Sequence, residues 1–430
     1  VAPDAAAAAS SPAPGSSGPP GLSASVAAAP TGSGAPGTAD AGAHVLFTAL
    51  GAWPGVLRRV LSGGSLTTDE AEAVLGQVLS GEATPAQIAA LAVSLRSRGE
   101  TVAEMTGFVR AMVSHAVPLP LPAGIDLVDT CGTGGDRLGS INVSTIASLV
   151  VAASGAKVCK HGGRASSSAV GAADVLEALG AVADLGPEGV ARSIEEVGLG
   201  FCFAPRFHPA MRFAGPVRRE LGIPTVFNFL GPLANPARAK FQVIGVSDPE
   251  MADKMLGVLV ANGTRRAMVV HGDDGLDELS TIGPSTVHEL IRVPGVPGVP
   301  GGPGAPGGSG PSIGDSSGFD PSGDGSVSVT TYRVDPSDLG LVRSTLEDLR
   351  GGDASVNADA IRHVVAGDDS PHRDIALLNA SAALVVIGQA PDLAAGLTLA
   401  STLVDSGRAA EVLDQFIRVT NEAADGEQRA

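Results

Sequence analysis

The chain has 430 residues, 44% of them hydrophobic, and a formal net charge of −17 at pH 7. That length allows two or three domains and that composition a large core, while the charge argues against a general nucleic-acid binder, whose target calls for a basic surface. No apolar run approaches the ~20 residues that span a bilayer, and no basic start with a continuous apolar core marks a secretory leader, so no membrane association is expected and the cytoplasm is the expected location.

Glycine (58) and proline (31) together exceed ordinary usage, which predicts low-complexity segments beside the folded part. The first is residues 1–45, dominated by Ala, Pro, Gly and Ser, too poor in large apolar side chains to order itself and expected to be a disordered tail. Residues 46–118 follow as an all-helical domain. Its helix starts are marked by three capping boxes: Thr67 with Glu70, Thr84 with Gln87, and Thr101 with Glu104. Pro85 takes the favoured first helical position, and Ile88, Leu91, Ala92 and Leu95 then recur at helical spacing to make one apolar face. From 119 to 430 short apolar strands alternate with helices, at Ile125–Val128, Ala156–Cys159, Val182–Leu185, Gln242–Val246 and Ala267–His271. Such alternation predicts a larger α/β domain with a mainly parallel central sheet. The charged, helix-like stretch 206–222 is expected to return to the helical block and complete it.

Asp129–Asp136 reads DTCGTGGD and leads through Ser140, Ile141, Asn142, Val143, Ser144 and Thr145 into a small apolar helix, Ile146–Ala153. Without Cβ atoms, Gly132, Gly134 and Gly135 let backbone N–H groups converge on an anion, and the helix N-terminus adds unpaired donors and its positive dipole end. The chemistry implied is phosphate or pyrophosphate binding. No Gly-Lys-Ser/Thr closes the loop as in an ATPase, and Arg137 stands where a dinucleotide fingerprint needs glycine; an ordinary tight turn is the competing reading. The stretch Lys160-His161-Gly162-Gly163-Arg164-Ala165-Ser166-Ser167-Ser168 repeats the loop logic with cations added. Lys160 offers a point charge, Arg164 a bidentate fork, and the serines three hydroxyls. Lys157, Lys160, His161, Arg164, Arg206, His208, Arg212, Arg218 and Arg219 crowd one third of an otherwise acidic chain, which suggests a small anionic ligand.

Cys131, Cys159 and Cys202 lack CxxC spacing and read as reduced, mostly buried thiols. The acidic run His271–Ser280, HGDDGLDELS, follows a Val-Val strand. Clustered carboxylates repel one another, and a hard divalent cation such as Mg²⁺ relieves them while completing its shell with phosphate oxygens and water; an exposed acidic turn is the alternative. Finally, 294–325 carries glycine at every third position from Gly295 to Gly310. Strand-like Val287–Val293 and Val327–Val334 flank it, so it is expected to be a disordered insertion that widens a hairpin connection.

These elements, with His208-Pro209-Ala210-Met211, VRRELG at 217–222, FNFLGPLANP at 227–236, GGDA at 351–354 and RDIALLN at 373–379, resemble the anthranilate phosphoribosyltransferases from about Leu46 onward. The resemblance implies the fold class of nucleoside phosphorylases and phosphoribosyltransferases that carry a helical domain, and a homodimer. It also implies transfer of the 5-phosphoribosyl group from PRPP to the amine of anthranilate, giving N-(5-phosphoribosyl)anthranilate and pyrophosphate in tryptophan biosynthesis, with two Mg²⁺ ions held beside PRPP. Carried over by motif, the PRPP site comprises Gly132, Gly135, Asp136, Ser140, Asn142, Val143, Ser144, Thr145, Lys160, His161, Gly162, Gly163, Arg164, Ala165, Ser166, Ser167, Ser168 and Ala172. The metal positions map onto Ser144, Asp277 and Glu278, and anthranilate contacts onto Gly132, His161, Gly163 and Arg218, the last as carboxylate counter-ion. No general base is assigned, because an aryl amine is already a neutral nucleophile.

Two departures bear on the acceptor. The family usually reads Lys-His-Gly-Asn-Arg where Gly163 stands here, and Val170 and Ala172 occupy positions usually held by small hydroxyl residues. A phosphoribosyltransferase for a related aromatic amine therefore stays open, as do a pyrimidine nucleoside phosphorylase of similar fold and a non-catalytic nucleic-acid-binding relative. The 227–236 segment and Asp277-Glu278 favour the transferase, and the acidic balance disfavours nucleic acid.

Overall fold

The computed structural model describes residues 38–136, 138–165, 170–294 and 325–429. The expectations for residues 1–37 of the tail, for Arg137, for Ser166, Ser167 and Ser168, and for residues 295–324 of the insertion lie outside the described residues.

The first helix, α1 (Thr38–Ala49), starts inside the stretch read as tail. Phe47 is its anchor: the ring is buried and meets Trp53 edge-on, with centroids 5.7 Å apart. Then follow α2 (Ala52–Leu61), α3 (Thr68–Leu79), α4 (Pro85–Arg98) and α5 (Val102–Ser114). Each of the three threonine boxes closes reciprocally. Thr84 N, for instance, donates to Gln87 Oε1 at 2.8 Å while Gln87 N donates to Thr84 Oγ1 at 3.3 Å. A fixed first turn phases the apolar face behind it, so that Ile88, Leu91 and Leu95 of α4 point into one core with Met105 and Phe108 of α5. The stretch 206–222 breaks at its prolines and glycines into Ala204–Phe207, a 3₁₀ turn Pro209–Phe213, and a helix Gly215–Leu221 whose Val217 enters that core.

Seven strands form a single sheet: β1 (Leu127–Gly132), β2 (Lys157–Gly162), β3 (Leu199–Phe203), β4 (Phe241–Gly245), β5 (Arg266–Gly272), β6 (Ser285–Pro294) and β7 (Gly325–Val334), in the order 3-2-1-4-5-6-7. The first five are parallel, and β6 and β7 extend the sheet as an antiparallel hairpin paired from Ser285↔Val334 to Pro294↔Gly325. β1 begins two residues beyond the expected start. β3 was not expected from the sequence, and Val182–Leu185 is not a strand but a loop in which Val182 N donates to Thr420 Oγ1 at 3.1 Å. Val182, Ala183 and Leu185 signal burial around an exposed Asp184, and burial alone does not specify a strand. Cys131, Cys159 and Cys202 are free and buried.

The helix α6 (Val143–Ala153) and the helix Pro371–Val386 pack in the core on one side of the sheet, while Ile244, Val246 and Val269 join the core of the helical bundle. The chain steps outward through β1, β2 and β3 and then crosses back to set β4 on the other side of β1. That reversal opens a crevice at the carboxyl ends of β1 and β4, the place where open α/β sheets take ligands. Among the described residues no helix is long and apolar enough to cross a membrane.

Within the bundle, the buried Glu104 accepts from Leu66 N (3.0 Å), Thr101 N (3.0 Å) and Thr101 Oγ1 (2.9 Å), and also pairs with Arg98. Replacing Glu104 by Ala strands these donors and an arginine, so urea unfolding is expected to show a loss of about 3–5 kcal/mol. The Thr84→Ala variant, which removes only an exposed cap, is expected to lose about 1 kcal/mol.

Candidate active site

Four parallel strands end on glycine: Gly132, Gly162, Gly245 and Gly272. Gly132 and Gly245 are register partners on β1 and β4, and the acidic loop lies directly on them. A Cβ at Gly132 would stand 2.2 Å from Asp277 Oδ2, and one at Gly245 would stand 1.5 Å from the Asp277 carbonyl oxygen. Because both positions lack a side chain, Asp277 reaches the loop after β1 and accepts from Gly134 N at 2.7 Å. That loop turns through the left-handed region at Gly134 (φ 63°) and Gly135 (φ 89°). Thr133 N donates to Gly245 O and Ser247 Oγ to Gly134 O, both at 2.9 Å, which pins the turn to β4 and its continuation.

A cavity of about 200 Å³ lies at these strand ends, against the N-terminus of α6. It brings together Gly132, Asp136, Ser140, Asn142, Val143, Ser144, Thr145, Lys160, His161, Gly162, Gly163, Ala172, Asp277 and Glu278 from the sequence-derived set. Four described members of that set stand outside its lining. Gly135 shapes the turn. Arg164 is half exposed and its fork is taken up by Glu177 (2.7 Å to each oxygen) and Asp174 (3.1 Å), the acids that the short helix Ala172–Ala178 presents. Ala165 N donates to Asp174 Oδ2 at 2.9 Å. Arg218 sits on the helix Gly215–Leu221, half-buried, with its guanidinium 6.0 Å from the Phe227 ring centre. It has no ion-pair partner among the described residues, and burial lowers its pKa.

Sequence reasoning missed several contributors. Asn357 lines the cavity, donates to Asn142 Oδ1 at 3.0 Å and accepts from Gly352 N at 2.8 Å, while Asn142 Nδ2 reaches Val170 O at 3.2 Å. Asn142 therefore bridges segments far apart in the chain, and it makes no side-chain cap for α6. An isolated asparagine carries no signal for this. Beneath the cavity, Asn235 Nδ2 donates to Asp129 Oδ2 and to Cys159 O, each at 2.8 Å, and Asp129 Oδ1 accepts from His161 N at 3.1 Å. The FNFLGPLANP segment held that signal, although nothing in it names the partner.

The electrostatics are those of opposed buried charges. Burial raises the Asp129 pKa, against the pull of Lys160 and the Asn235 and His161 hydrogen bonds. Burial lowers that of Lys160, whose Nζ donates to Thr130 O (2.5 Å) and Ser144 Oγ (3.1 Å), against the pull of Asp129, Cys131, Glu278 and Asp277. Asp277 is pushed up to about 7 by burial and then by Asp136, and Glu278 is pushed well up by burial and then by Asp277. A cation would relieve this crowding. Among the described residues no three His, Cys, Asp or Glu side chains are arranged to hold a metal alone, so a cation here would draw further oxygens from ligand and water.

His161 stands at the edge of this charge. Its Nδ1 lies 3.1 Å from Gly231 O, and since a carbonyl can only accept, Nδ1 carries the proton. Nε2 is left as a buried acceptor without a partner among the described residues, as is the nearby hydroxyl of Thr145. Burial, then His208 with its ring centre 5.0 Å away, drives the His161 pKa down to about 3. The imidazole is neutral at any ordinary pH.

Residues 54–116 match the helical bundle domain of a glycosyl transferase family, and residues 124–293 and 322–410 match its α/β domain. An anthranilate phosphoribosyltransferase of Rhodococcus jostii is 46% identical over 375 residues, 86% of this chain and 93% of that protein. The crystal structure of anthranilate phosphoribosyltransferase from Thermus thermophilus aligns with a TM-score of 0.72 at 38% identity, covering 85% of this chain and 99% of that one. The Saccharomyces cerevisiae enzyme in complex with PRPP and Mg aligns with a TM-score of 0.72 at 25% identity, covering 86% and 98%.

Two outcomes follow from the site's geometry. Gly245→Ala must push the Asp277 backbone aside and is expected to lower the thermal midpoint by several degrees. Gly163→Ala, where among the described residues a Cβ meets nothing closer than Ala204 Cβ at 4.0 Å, should leave it unchanged. His161, with its pKa lowered to about 3, binds its proton more weakly folded than unfolded, so its contribution to stability is whole above about pH 6.5 and is lost as pH falls toward 3. Chemical denaturation at pH 6.5 and 4.5 should show His161→Gln losing roughly 2–3 kcal/mol less than the parent across that interval.

Proposed function

The chain belongs to the anthranilate phosphoribosyltransferases, and we propose on that premise that it transfers the 5-phosphoribosyl group of PRPP to the amine of anthranilate, with release of pyrophosphate, in tryptophan biosynthesis. One observation carries the reading: a single cavity joins a glycine-shaped loop, the first turn of α6, the buried cation Lys160 and the crowded carboxylates Asp277 and Glu278. An anionic ligand bearing its own divalent cations would satisfy both signs of charge there. Mg²⁺ fits the hard oxygen donors Ser144, Asp277 and Glu278, two ions being the proposed number, and when bound it would neutralise the departing pyrophosphate.

The chain's own residues account for binding and orientation. Gly132, Gly134, Asp136 and Ser140 to Thr145, with the α6 N-terminus, would face the phosphate oxygens, and the Thr145 hydroxyl, unpartnered among the described residues, supplies one more donor. Lys160, tied to Ser144 Oγ, fixes that side chain and offsets the carboxylates, while the Ser144 backbone N–H favours the ionised Glu278. His161 presents its bare Nε2 as acceptor for an N–H of the aryl amine, which turns the nitrogen lone pair toward C1 of the ribose. As the C1–N bond forms, the bond from C1 to the pyrophosphate oxygen breaks and its electron pair leaves with pyrophosphate, and the resulting ammonium then loses a proton to water. Arg218, half-buried and without an ion-pair partner among the described residues, is the counter-ion for the anthranilate carboxylate. Positioning and electrostatics supply most of the rate. Assembly as a homodimer, a cytoplasmic location and a division near residue 118 between the helical and α/β parts belong to the same proposal.

Gly163 supports a second reading of the acceptor. The space at its missing Cβ, with Ala204 Cβ the nearest atom among the described residues at 4.0 Å, would admit an aromatic amine bulkier than anthranilate.

Anthranilate fluorescence should fall with PRPP and Mg²⁺ present, in step with pyrophosphate release. A folded protein with no turnover at any anthranilate concentration would overturn the assignment. Arg218→Gln is expected to raise KM for anthranilate at least tenfold with KM for PRPP unchanged, the loss of one charge-assisted contact. Gly163→Asn should lower KM for anthranilate, again without change for PRPP.

A further inference from the structure

Positive charge without matching acid also gathers behind the sheet, at the amino-terminal edge of β4. There a cavity of about 330 Å³ follows the junction of the helical bundle and the α/β domain. α5 contributes Arg110 to its wall, and the turn entering β4 contributes Arg238 and Lys240. Val109, Leu233 and Leu259, all buried, give it an apolar floor. Among the described residues the side chains of Arg110 and Arg238 make no hydrogen bond, and the charge of Arg110 is felt by Glu72 across the cleft. Lys240 Nζ meets only the Gly263 carbonyl at 3.2 Å, and burial followed by repulsion from Arg238, Arg292 and Arg265 lowers its pKa. Among the described residues Glu72 is the lone acid on the wall. Three cations thus face one carboxylate in a protein of net charge −17.

The backbone is arranged to present one of these cations. Arg238 holds a φ of 54°, a left-handed conformation uncommon outside glycine. Asn235 maintains it: its Oδ1 accepts from Ala237 N and its carbonyl from Arg238 N, both at 2.9 Å. The same Asn235 donates to Asp129 and to the Cys159 carbonyl beneath the active cavity. We propose that this cleft is a second ligand site, for a small monocarboxylate with an apolar body, and that its occupancy is felt at the PRPP loops through Asn235. The cations take the carboxylate and the apolar floor takes the body, while Glu72 disfavours a dianion such as phosphate.

Calorimetric titration with benzoate tests this on protein carrying Arg218→Gln, which disables the proposed acceptor site. One benzoate per chain is expected, bound at least tenfold more weakly after a further Arg110→Gln or Lys240→Met and competed at least tenfold less effectively by inorganic phosphate. Arg110 is exposed on α5, so an unchanged thermal midpoint is expected to show that its variant still folds. Saturating benzoate should shift the affinity for PRPP with Mg²⁺ severalfold, a shift missing from the Arg110→Gln protein. Absence of benzoate binding, binding indifferent to Arg110 and Lys240, equal competition by phosphate, or PRPP affinity unmoved by benzoate would each overturn the proposal. The benzoate arms need no turnover, so they are decided separately from the assigned reaction.

Discussion

The seat of Asp277 on the ends of β1 and β4 is the contact on which the active cavity depends. Neighbouring parallel strands leave no spare room at their edge, and here two register-paired glycines, Gly132 and Gly245, free the volume of two side chains for one carboxylate and its backbone. The acidic loop can then touch Gly134 N, and the loop after β1 gains an acceptor from the far side of the switch point. With either glycine filled, Asp277 and Glu278 would stand away from α6 and the two halves of the site would not face each other.

This closeness concentrates charge in a place that disfavours it. Asp129, Lys160 and Asp277 are each more than nine-tenths buried, and Glu278 lies against them. The desolvation cost of each is offset only in part by its neighbours, which is why Lys160 is drawn down while Asp277 and Glu278 are pushed up. The cavity is therefore electrostatically incomplete until an anion and its cations enter. His161 takes no part in that balance, since burial and His208 keep it neutral and leave it a pure acceptor.

Legibility in the sequence followed the range of the interactions. The capping boxes at Thr67, Thr84 and Thr101 were read correctly because all their atoms lie within one helical turn. The glycine loop was recognisable because positive φ leaves a mark on residue type. Arg164 has chemistry that suits phosphate, and only the fold shows that Asp174 and Glu177 on the next helix pair with it. Val182–Leu185 reads as a strand and is a loop, while Leu199–Phe203 is a strand that the pattern does not mark, because short apolar-rich runs record burial and not hydrogen-bond partners.

The sequence alone determined the class of chemistry and the local devices that serve it: helix starts, phosphate-binding turns, an acidic run apt for a hard cation, and a family resemblance spread over many motifs. Those properties reside in residue type and short spacing. Tertiary structure alone decided which residues share the cavity, that Asn357 and Asn142 join across 215 positions, that Asn235 underpins Asp129, and that Arg110 and Arg238 meet behind the sheet. Such contacts join elements that are distant in the chain, and the strand order that brings them together is set by the packing of whole faces, which no single segment encodes.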